Sequence, residues 1–344
     1  MFVSISKIYI NGKFLTQQST GVQAYAFGMM EAMKRQNIPF EVLSPKSTEQ
    51  SDSFNAKKIG FFSNLNLWEQ CSLPFFVNKQ SNSILINFCN SAPLFAKHQI
   101  VTIHDLAFEQ KDVKWFSFGF RRWYRFLIPR IVKTAKVIFT VSEFSKQEII
   151  TNYKVNSKNI KVIPNGLYAN IKIASQQIQE NYVLLVGGNN PRKNAVFIIE
   201  QIEKIEKLGL KLVILNAGNS VFDSSEIAIH PSIIQLNYVA TEQYYSLIKY
   251  AKALIYPSLY EGFGIPILES LCLKTPVICS DLLVFRESYG DLPLYFGPTN
   301  SSEFSKALEK LEDVVISDLD VEKLKQKYSF DESVSLILKT LQEL

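Results

Sequence analysis

Two carboxylates, Glu261 and Glu269, bracket a loop of small residues, Gly262-Phe263-Gly264. An apolar run at 253–256 precedes the loop, and a helix is expected to begin near Pro266. Backbone N–H groups at such a helix start carry partial positive charge and suit a phosphate. Carboxylates beside them suit hydroxyl groups, since an ionised carboxyl only accepts hydrogen bonds. A nucleotide-sugar offers both partners.

A second group stands at 187–194. Strand-like 182–186 runs into Gly187-Gly188, then Arg192-Lys193-Asn194 opens a helix. Arginine grips phosphate through parallel hydrogen bonds and lysine adds a point charge, so the turn reads as a diphosphate clamp. An Arg-Lys pair at a helix start is also compatible with simple solvation. His104-Asp105 follows a strand at 99–103, at the carboxyl end of a sheet where α/β proteins bind ligands. With three histidines in the chain, His104 alone leaves structural and catalytic roles open. Ser19-Thr20-Gly21 combines hydroxyls with a small residue at a helix start, which fits either a phosphate contact or an ordinary cap.

The elements that would position these groups alternate along the chain. Lys7 to Asn11 reads as a first strand and 12–18 as a polar loop. Val22, Tyr25, Ala26, Met29, Met30 and Met33 form the apolar stripe of a core-facing helix. Apolar runs recur at 40–43, 84–88, 100–103 and 137–141, and a strand at 161–163 ends in an Asn165-Gly166 turn. Residues 44–58 are poor in apolar residues and read as a mobile surface loop. After a polar linker at 168–181, strands at 182–186, 211–216, 233–237, 253–256 and 276–279 alternate with helices near 241–251 and 266–273. The pattern predicts two α/β domains, 1–167 and 182–329, each with a largely parallel sheet. A final helix at 330–344 can pack back on either one.

The 344 residues suffice for two domains, and 47% hydrophobic with 20% charged residues describes a soluble globular chain. A net charge of +5 favours anionic ligands or surfaces, yet it is too dispersed to point to nucleic acid. The four cysteines, at 71, 89, 272 and 279, show no zinc or redox spacing and read as buried thiols of a reducing cytoplasm. The first seven residues turn polar too early for a signal peptide. The longest uncharged run, 80–96, contains Ser, Asn and Pro and would make a poor membrane span. Residues 111–136 mix Arg121, Arg122, Arg125 and Arg130 with Trp115, Phe116, Phe118, Trp123 and Phe126. That composition suits peripheral contact with an anionic membrane, while several aromatics are expected to face inward.

Five motifs in order, Ile103-His104-Asp105, Val141-Ser142-Glu143-Phe144-Ser145, Ile163-Pro164-Asn165-Gly166, Gly187-Gly188 with Arg192-Lys193-Asn194, and Tyr260-Glu261-Gly262-Phe263-Gly264-Ile265-Pro266-Ile267-Leu268-Glu269, resemble the family 4 retaining glycosyltransferases. The resemblance covers nearly the whole chain. It implies the GT-B fold, two Rossmann-like α/β/α domains facing each other across a cleft. It also implies a nucleotide-sugar donor held by the C-terminal domain: Glu269 on the ribose, Glu261 near the sugar hydroxyls, Arg192 and Lys193 on the diphosphate, and Gly188 and Gly262 to Gly264 beside the phosphates. His104, with Asp105, would sit on the acceptor side and orient a hydroxyl, and Gly21 would approach the phosphates from the N-terminal domain. Relatives with a similar opening often carry a basic residue where Ala24 stands here, which weakens that last share. Retention is described in the family as a same-face displacement, so neither carboxylate acts as a covalent nucleophile and no metal or other cofactor is expected.

The resulting expectation is transfer of a hexose, with mannose or rhamnose favoured, to a lipid-linked or saccharide acceptor in surface polysaccharide assembly. Another GT-B activity, such as a sugar-nucleotide epimerase or a phosphorylase, is disfavoured by the carboxylate spacing and by the lack of a cofactor-lysine segment. A catalytically inactive sugar-nucleotide-binding subunit is disfavoured by the intact Glu261, Glu269, Arg192 and Lys193. No Walker pattern and no Gly-x-Gly-x2-Gly after the first strand is present.

Overall fold

The computed structural model describes residues 7–17, 20–48, 54–111, 113–168, 171–188, 190–215 and 230–344. Ser19, Asn189, Asn216, part of the 44–58 segment and part of the 168–181 linker therefore lie outside the described residues. The chain divides into two units, one of Met1–Lys111, Phe116–Gly166 and Tyr328–Leu344, the other of Asp112–Trp115 and Leu167–Lys327.

Among the described residues the first unit is built on seven parallel strands: β1 (Lys7–Asn11), β2 (Glu41–Ser44), β3 (Lys57–Lys58), β4 (Ser83–Asn87), β5 (Gln99–Thr102), β6 (Val137–Thr140) and β7 (Ile160–Val162). Their order is β3-β2-β1-β4-β5-β6-β7, with Ile10 opposite Ile86 and Val101 opposite Ile138. Every residue of β4, β5 and β6 is buried, as expected of strands covered on both faces. Helix α1 (Gly21–Arg35) lays Tyr25, Ala26, Met29, Met30 and Met33 into the core. Helices α2 (Phe118–Thr134) and α3 (Glu143–Tyr153) begin at Ser117 and Ser142, whose hydroxyls accept from Phe120 N and Ser145 N.

The C-terminal helix Phe330–Gln342 belongs to this unit, and Phe330 shows how it docks. A Cβ on Gly28 would come within 2.2 Å of the Phe330 ring, and one on Gly166 within 2.3 Å of Phe330 N. Two glycines thus clear the space for one ring. Asn165-Gly166 accordingly forms no turn, and Gly166 serves close approach.

Other expectations also change. Gly12–Thr16 is a 3₁₀ turn, not an open loop, because the Asn11 side chain accepts from Lys13 N at 3.1 Å. The 44–58 segment contributes Ser44 to β2 and edge strand β3, which pairs with β2. Cys71 is exposed and Cys89 partly so; only Cys272 and Cys279 are buried thiols. In α2, Trp123 and Tyr124 pack against the core, whereas Phe118, Phe120 and Phe126 are exposed.

Among the described residues the second unit holds six parallel strands: β8 (Tyr182–Val186), β9 (Lys211–Leu215), β10 (Ile233–Leu236), β11 (Ala253–Tyr256), β12 (Val277–Ser280) and β13 (Leu294–Phe296), in the order β10-β9-β8-β11-β12-β13. Leu184 lies opposite Leu254, and Leu254 opposite Val277. Helices α4 (Thr241–Tyr250) and α5 (Ile265–Cys272) flank β11 in sequence. In each sheet the strand order reverses once, between β1 and β4 and between β8 and β11. Such reversals open a crevice beyond the strand ends, the usual ligand position in doubly wound sheets.

Candidate active site

In the second unit the crevice is formed by the turn after β8 and the loop after β11. Gly187 adopts φ +86°, a left-handed conformation that glycine takes without steric cost. It and Gly188 both donate their N–H groups to Leu215 O, at 3.0 and 3.2 Å, so these two donors fasten the turn to β9. Asn190 Oδ1 accepts from Arg192 N at 3.0 Å, and Arg192 O accepts from Leu259 N at 2.9 Å, which ties the turn to the facing loop.

Arg192, Lys193 and Glu261 meet there. Arg192 Nη1 lies 2.9 Å from Glu261 Oε2 and donates to Tyr260 O at 2.7 Å. Lys193 Nζ lies 2.5 Å from Glu261 Oε1, donates to the Tyr256 hydroxyl, and stands 4.4 Å over the Tyr256 ring. Burial pushes the Glu261 carboxyl up, but Arg192 and Lys193 outweigh it and hold the group down at about 2. Glu261 is therefore a fixed anion at neutral pH, unsuited to proton donation. The three side chains together carry one net positive charge in a site shielded from water, where that charge acts more strongly on an anion than in solvent.

Glu269, on the inner face of α5, is six per cent exposed. Its Oε2 accepts from the Tyr244 hydroxyl at 2.5 Å and its Oε1 from the Tyr245 hydroxyl at 3.0 Å, both tyrosines coming from α4. Burial raises its carboxyl to about 7 despite those two donors. Each oxygen retains acceptor capacity beyond one hydrogen bond. The sequence reading placed a helix here without singling out Tyr244, Tyr245 or Tyr256. An adjacent tyrosine pair on a helix facing a glutamate one helix later carries no local signal.

Between the two carboxylates, Gly264 caps α5 at φ +92°, and a Cβ there would meet Phe285 Cε1 at 2.7 Å. None of the described residues accepts from the N–H groups of Gly262 and Gly264. Phe263 is a packing residue, four per cent exposed and edge-on to Tyr289.

The first unit holds His104, Asp105 and Gly21. His104 N donates to Asn90 Oδ1 at 2.7 Å, and its carbonyl accepts from Ser145 Oγ at 3.0 Å. Its Nε2 is 2.8 Å from Phe88 O; a carbonyl only accepts, so Nε2 carries the proton and Nδ1 presents a lone pair. Burial lowers the pKa of this imidazole, which keeps it neutral at pH 7. Asp105 Oδ1 accepts from Ala107 N at 2.9 Å and shapes the turn after His104. Gly21 is exposed as the first residue of α1. Among the described residues no cluster of His, Cys, Asp and Glu is arranged to hold a metal ion.

Known proteins place this arrangement. Residues 170–323 match the model of the glycosyl transferases group 1, and residues 19–169 that of glycosyltransferase family 4. The O-antigen chain mannosyltransferase RfbU of Salmonella typhimurium is 30% identical over 269 residues, 74% of either chain. A sucrose-phosphate synthase of Thermosynechococcus elongatus superposes with a TM-score of 0.74 at 13% identity, over 98% of both chains. Anabaena HepE, solved with UDP-glucose, gives 0.73 at 15% identity, over 98% of this chain and 100% of its own. At those identities the structures speak for the fold, the two Rossmann-like domains of GT-B. With both halves matched and a relative at 30% identity along most of its length, the chain belongs to the family 4 glycosyltransferases.

Proposed function

We propose that this glycosyltransferase moves a hexose, with mannose the favoured sugar, from a nucleotide-sugar to a lipid-linked or saccharide acceptor in surface polysaccharide assembly. The observation that carries the reading is the Arg192–Lys193–Glu261 cluster, two cations held by one buried anion at the strand-order reversal. As the glycosidic bond to the nucleotide breaks, negative charge grows on the leaving diphosphate. Arg192 and Lys193 stabilise that charge more than they stabilise the ground state, which is the differential binding that accelerates a reaction. Gly262 and Gly264 N–H add donors to the same phosphates. Glu261 fixes both cations and accepts from sugar hydroxyls, and Glu269 accepts from the ribose.

Neutral His104 offers Nδ1 to an acceptor hydroxyl. The departing phosphate oxygen takes the acceptor proton on the same face, so the anomeric configuration is retained without a covalent carboxylate intermediate. Charge stabilisation falls to side chains and backbone, and the scheme uses no divalent metal or other cofactor. RfbU, a mannosyltransferase by name, supports mannose as the sugar and O-antigen-like chains as the setting. Donor binding is the first test: GDP, UDP, dTDP and their sugar conjugates are titrated against the full chain by calorimetry. Micromolar binding of at least one is expected; binding of none overturns the reading.

The reading places the enzyme in the cytoplasm, against the inner membrane face. Among the described residues no helix is long and apolar enough to cross a membrane. Instead α2 exposes Phe118 (79%) and Phe126 beside Arg122, Arg130 and Lys133, rings for the headgroup region and cations for lipid phosphates. Arg121 is committed elsewhere, donating to Phe108 O and Gln110 O. Reversing Arg122, Arg130 and Lys133 to glutamate should weaken binding to phosphatidylglycerol vesicles on the order of 100-fold, at ~1 kcal/mol per cation removed. Unchanged sedimentation would exclude this surface as the contact.

A further inference from the structure

The first unit has its own cavity at its own strand-order reversal. About 520 Å3 in volume, it is lined among others by Lys13, Asn66, Ser91, Phe120, Trp123 and Tyr124. Its floor rests on Glu69, whose side chain is wholly shielded from water. Glu69 Oε2 accepts from Lys13 Nζ at 2.8 Å, and Oε1 from Asn11 Nδ2 at 3.0 Å and Ser91 Oγ at 2.7 Å. Lys13 Nζ also donates to Asn66 Oδ1 at 2.9 Å, which leaves one of its three N–H donors for the cavity.

Two features mark this floor as more than packing. A buried ion pair is seldom more stabilising than apolar residues of the same volume, so its presence at a strand end calls for another reason. Glu69 also sits in a π-helical turn, Trp68–Ser72, a distortion concentrated at functional sites.

The chemistry of the walls selects the ligand. Lys13 and Glu69 cancel, so the floor presents oriented hydrogen-bonding groups without net charge. The opposite wall is aromatic, with Phe120 and Tyr124 stacked at 4.2 Å between ring centroids and Trp123 beside them. A pyranose ring has an apolar C–H face and a rim of hydroxyls, and meets both walls at once; pockets that combine rings with a few fixed polar groups bind such amphipathic molecules. A phosphate or uronic acid would find the one lysine already neutralised. Ser91 directly follows Asn90, the residue that holds His104 N, so the floor and the imidazole share one loop.

We infer that this cavity binds an uncharged saccharide unit of the acceptor, with Lys13 and Asn66 on its hydroxyls and Trp123 and Tyr124 against its ring face. The assignment rests on the glycosyltransferase reading above.

The test is saturation-transfer NMR on the full chain with methyl glycosides of mannose, rhamnose, galactose and N-acetylglucosamine, against methyl glucuronide and mannose 6-phosphate. Trp123→Ala removes part of the ring wall. Gly119→Leu obstructs the mouth without threatening the fold, because Gly119 lies in α2 at the cavity and a Cβ there meets nothing within 4 Å. At least one neutral glycoside is expected to bind the wild type, at least tenfold more weakly to either variant, while the dissociation constants of GDP and UDP change less than twofold. Absence of neutral-glycoside binding, tighter binding of the acidic sugars, or binding indifferent to both variants overturns the assignment. Nucleotide binding separates the two readings: if it persists without glycoside binding, only the cavity assignment falls, and if the wild type binds no nucleotide, the enzyme reading falls.

Discussion

Replacing Arg192 by methionine is expected to lower kcat about 10³-fold, the usual cost of removing one preorganised donor from a developing oxyanion, ~4 kcal/mol. Methionine keeps much of the apolar stem and removes only the charged head. The Arg192 and Lys193 side chains are 14% and 16% exposed, so water is poorly placed to substitute. The donor KM should rise far less than kcat falls, since the charge that Arg192 meets grows as the bond breaks. Glu261 would keep Lys193 as its partner, which limits the stability loss below the ~3–5 kcal/mol of a buried charge left alone. Steady-state kinetics with varied donor, beside a melting curve, separate the two effects; kcat within threefold of wild type at an unchanged melting point would remove Arg192 from the charge-stabilising role. The clamp itself should not titrate in the assay range. Glu261 is depressed from 4.5 to about 2 in the folded chain, so its stabilising contribution is present above 4.5 and is lost only as pH falls through about 2.

Glu269→Gln should do the opposite to stability. In the folded chain burial lifts Glu269 from 4.5 to about 7, so the folded state binds this proton more tightly than the unfolded chain does. The associated stability is fully present below 4.5 and is lost as pH rises through about 7, a difference of ~3 kcal/mol between pH 4.5 and pH 8. Glutamine has no proton to lose. The variant should match wild type near pH 4.5 and melt at a higher temperature at pH 8, while donor affinity falls about 10- to 100-fold through the loss of a charged acceptor on the ribose. Wild-type donor affinity should climb as pH rises through about 7, and the variant's should not. Melting curves at both pH values, with donor titrations, check this; a melting difference that is the same at pH 4.5 and pH 8 would show that Glu269 carries no such proton.

These two carboxylates show what a linear reading reaches. Their spacing, the glycine loop and the start of α5 were legible because they are local: a strand, a turn and a helix start written in consecutive residues. Eleven of the strands lie within a residue of their expected ends, because buried parallel strands are uninterrupted apolar runs, whereas the edge strands β3 and β13, two and three residues long, were too short to stand out. What the sequence does not display is who meets whom. The two cations that hold Glu261 in place, Arg192 and Lys193, stand 69 and 68 positions earlier in the chain. Tyr244 and Tyr245 reach Glu269 only because α4 and α5 flank the same strand. Asn11, Lys13, Glu69 and Ser91 form one polar floor from three separate segments, and no one of those segments marks it. Asn165-Gly166 failed as a turn for the same reason, since the ring that claims Gly166 belongs to the last helix.

Glycosyl transfer with retention is the central claim, and the configuration of the product tests it most directly. The full chain, supplied with GDP-α-mannose, dTDP-rhamnose or UDP-glucose and with diphosphate-lipid-linked acceptors, should release nucleotide and form a new glycoside. NMR of that product is predicted to show the donor's own anomeric configuration. An inverted configuration, or no transfer from any donor to any acceptor, would contradict the account.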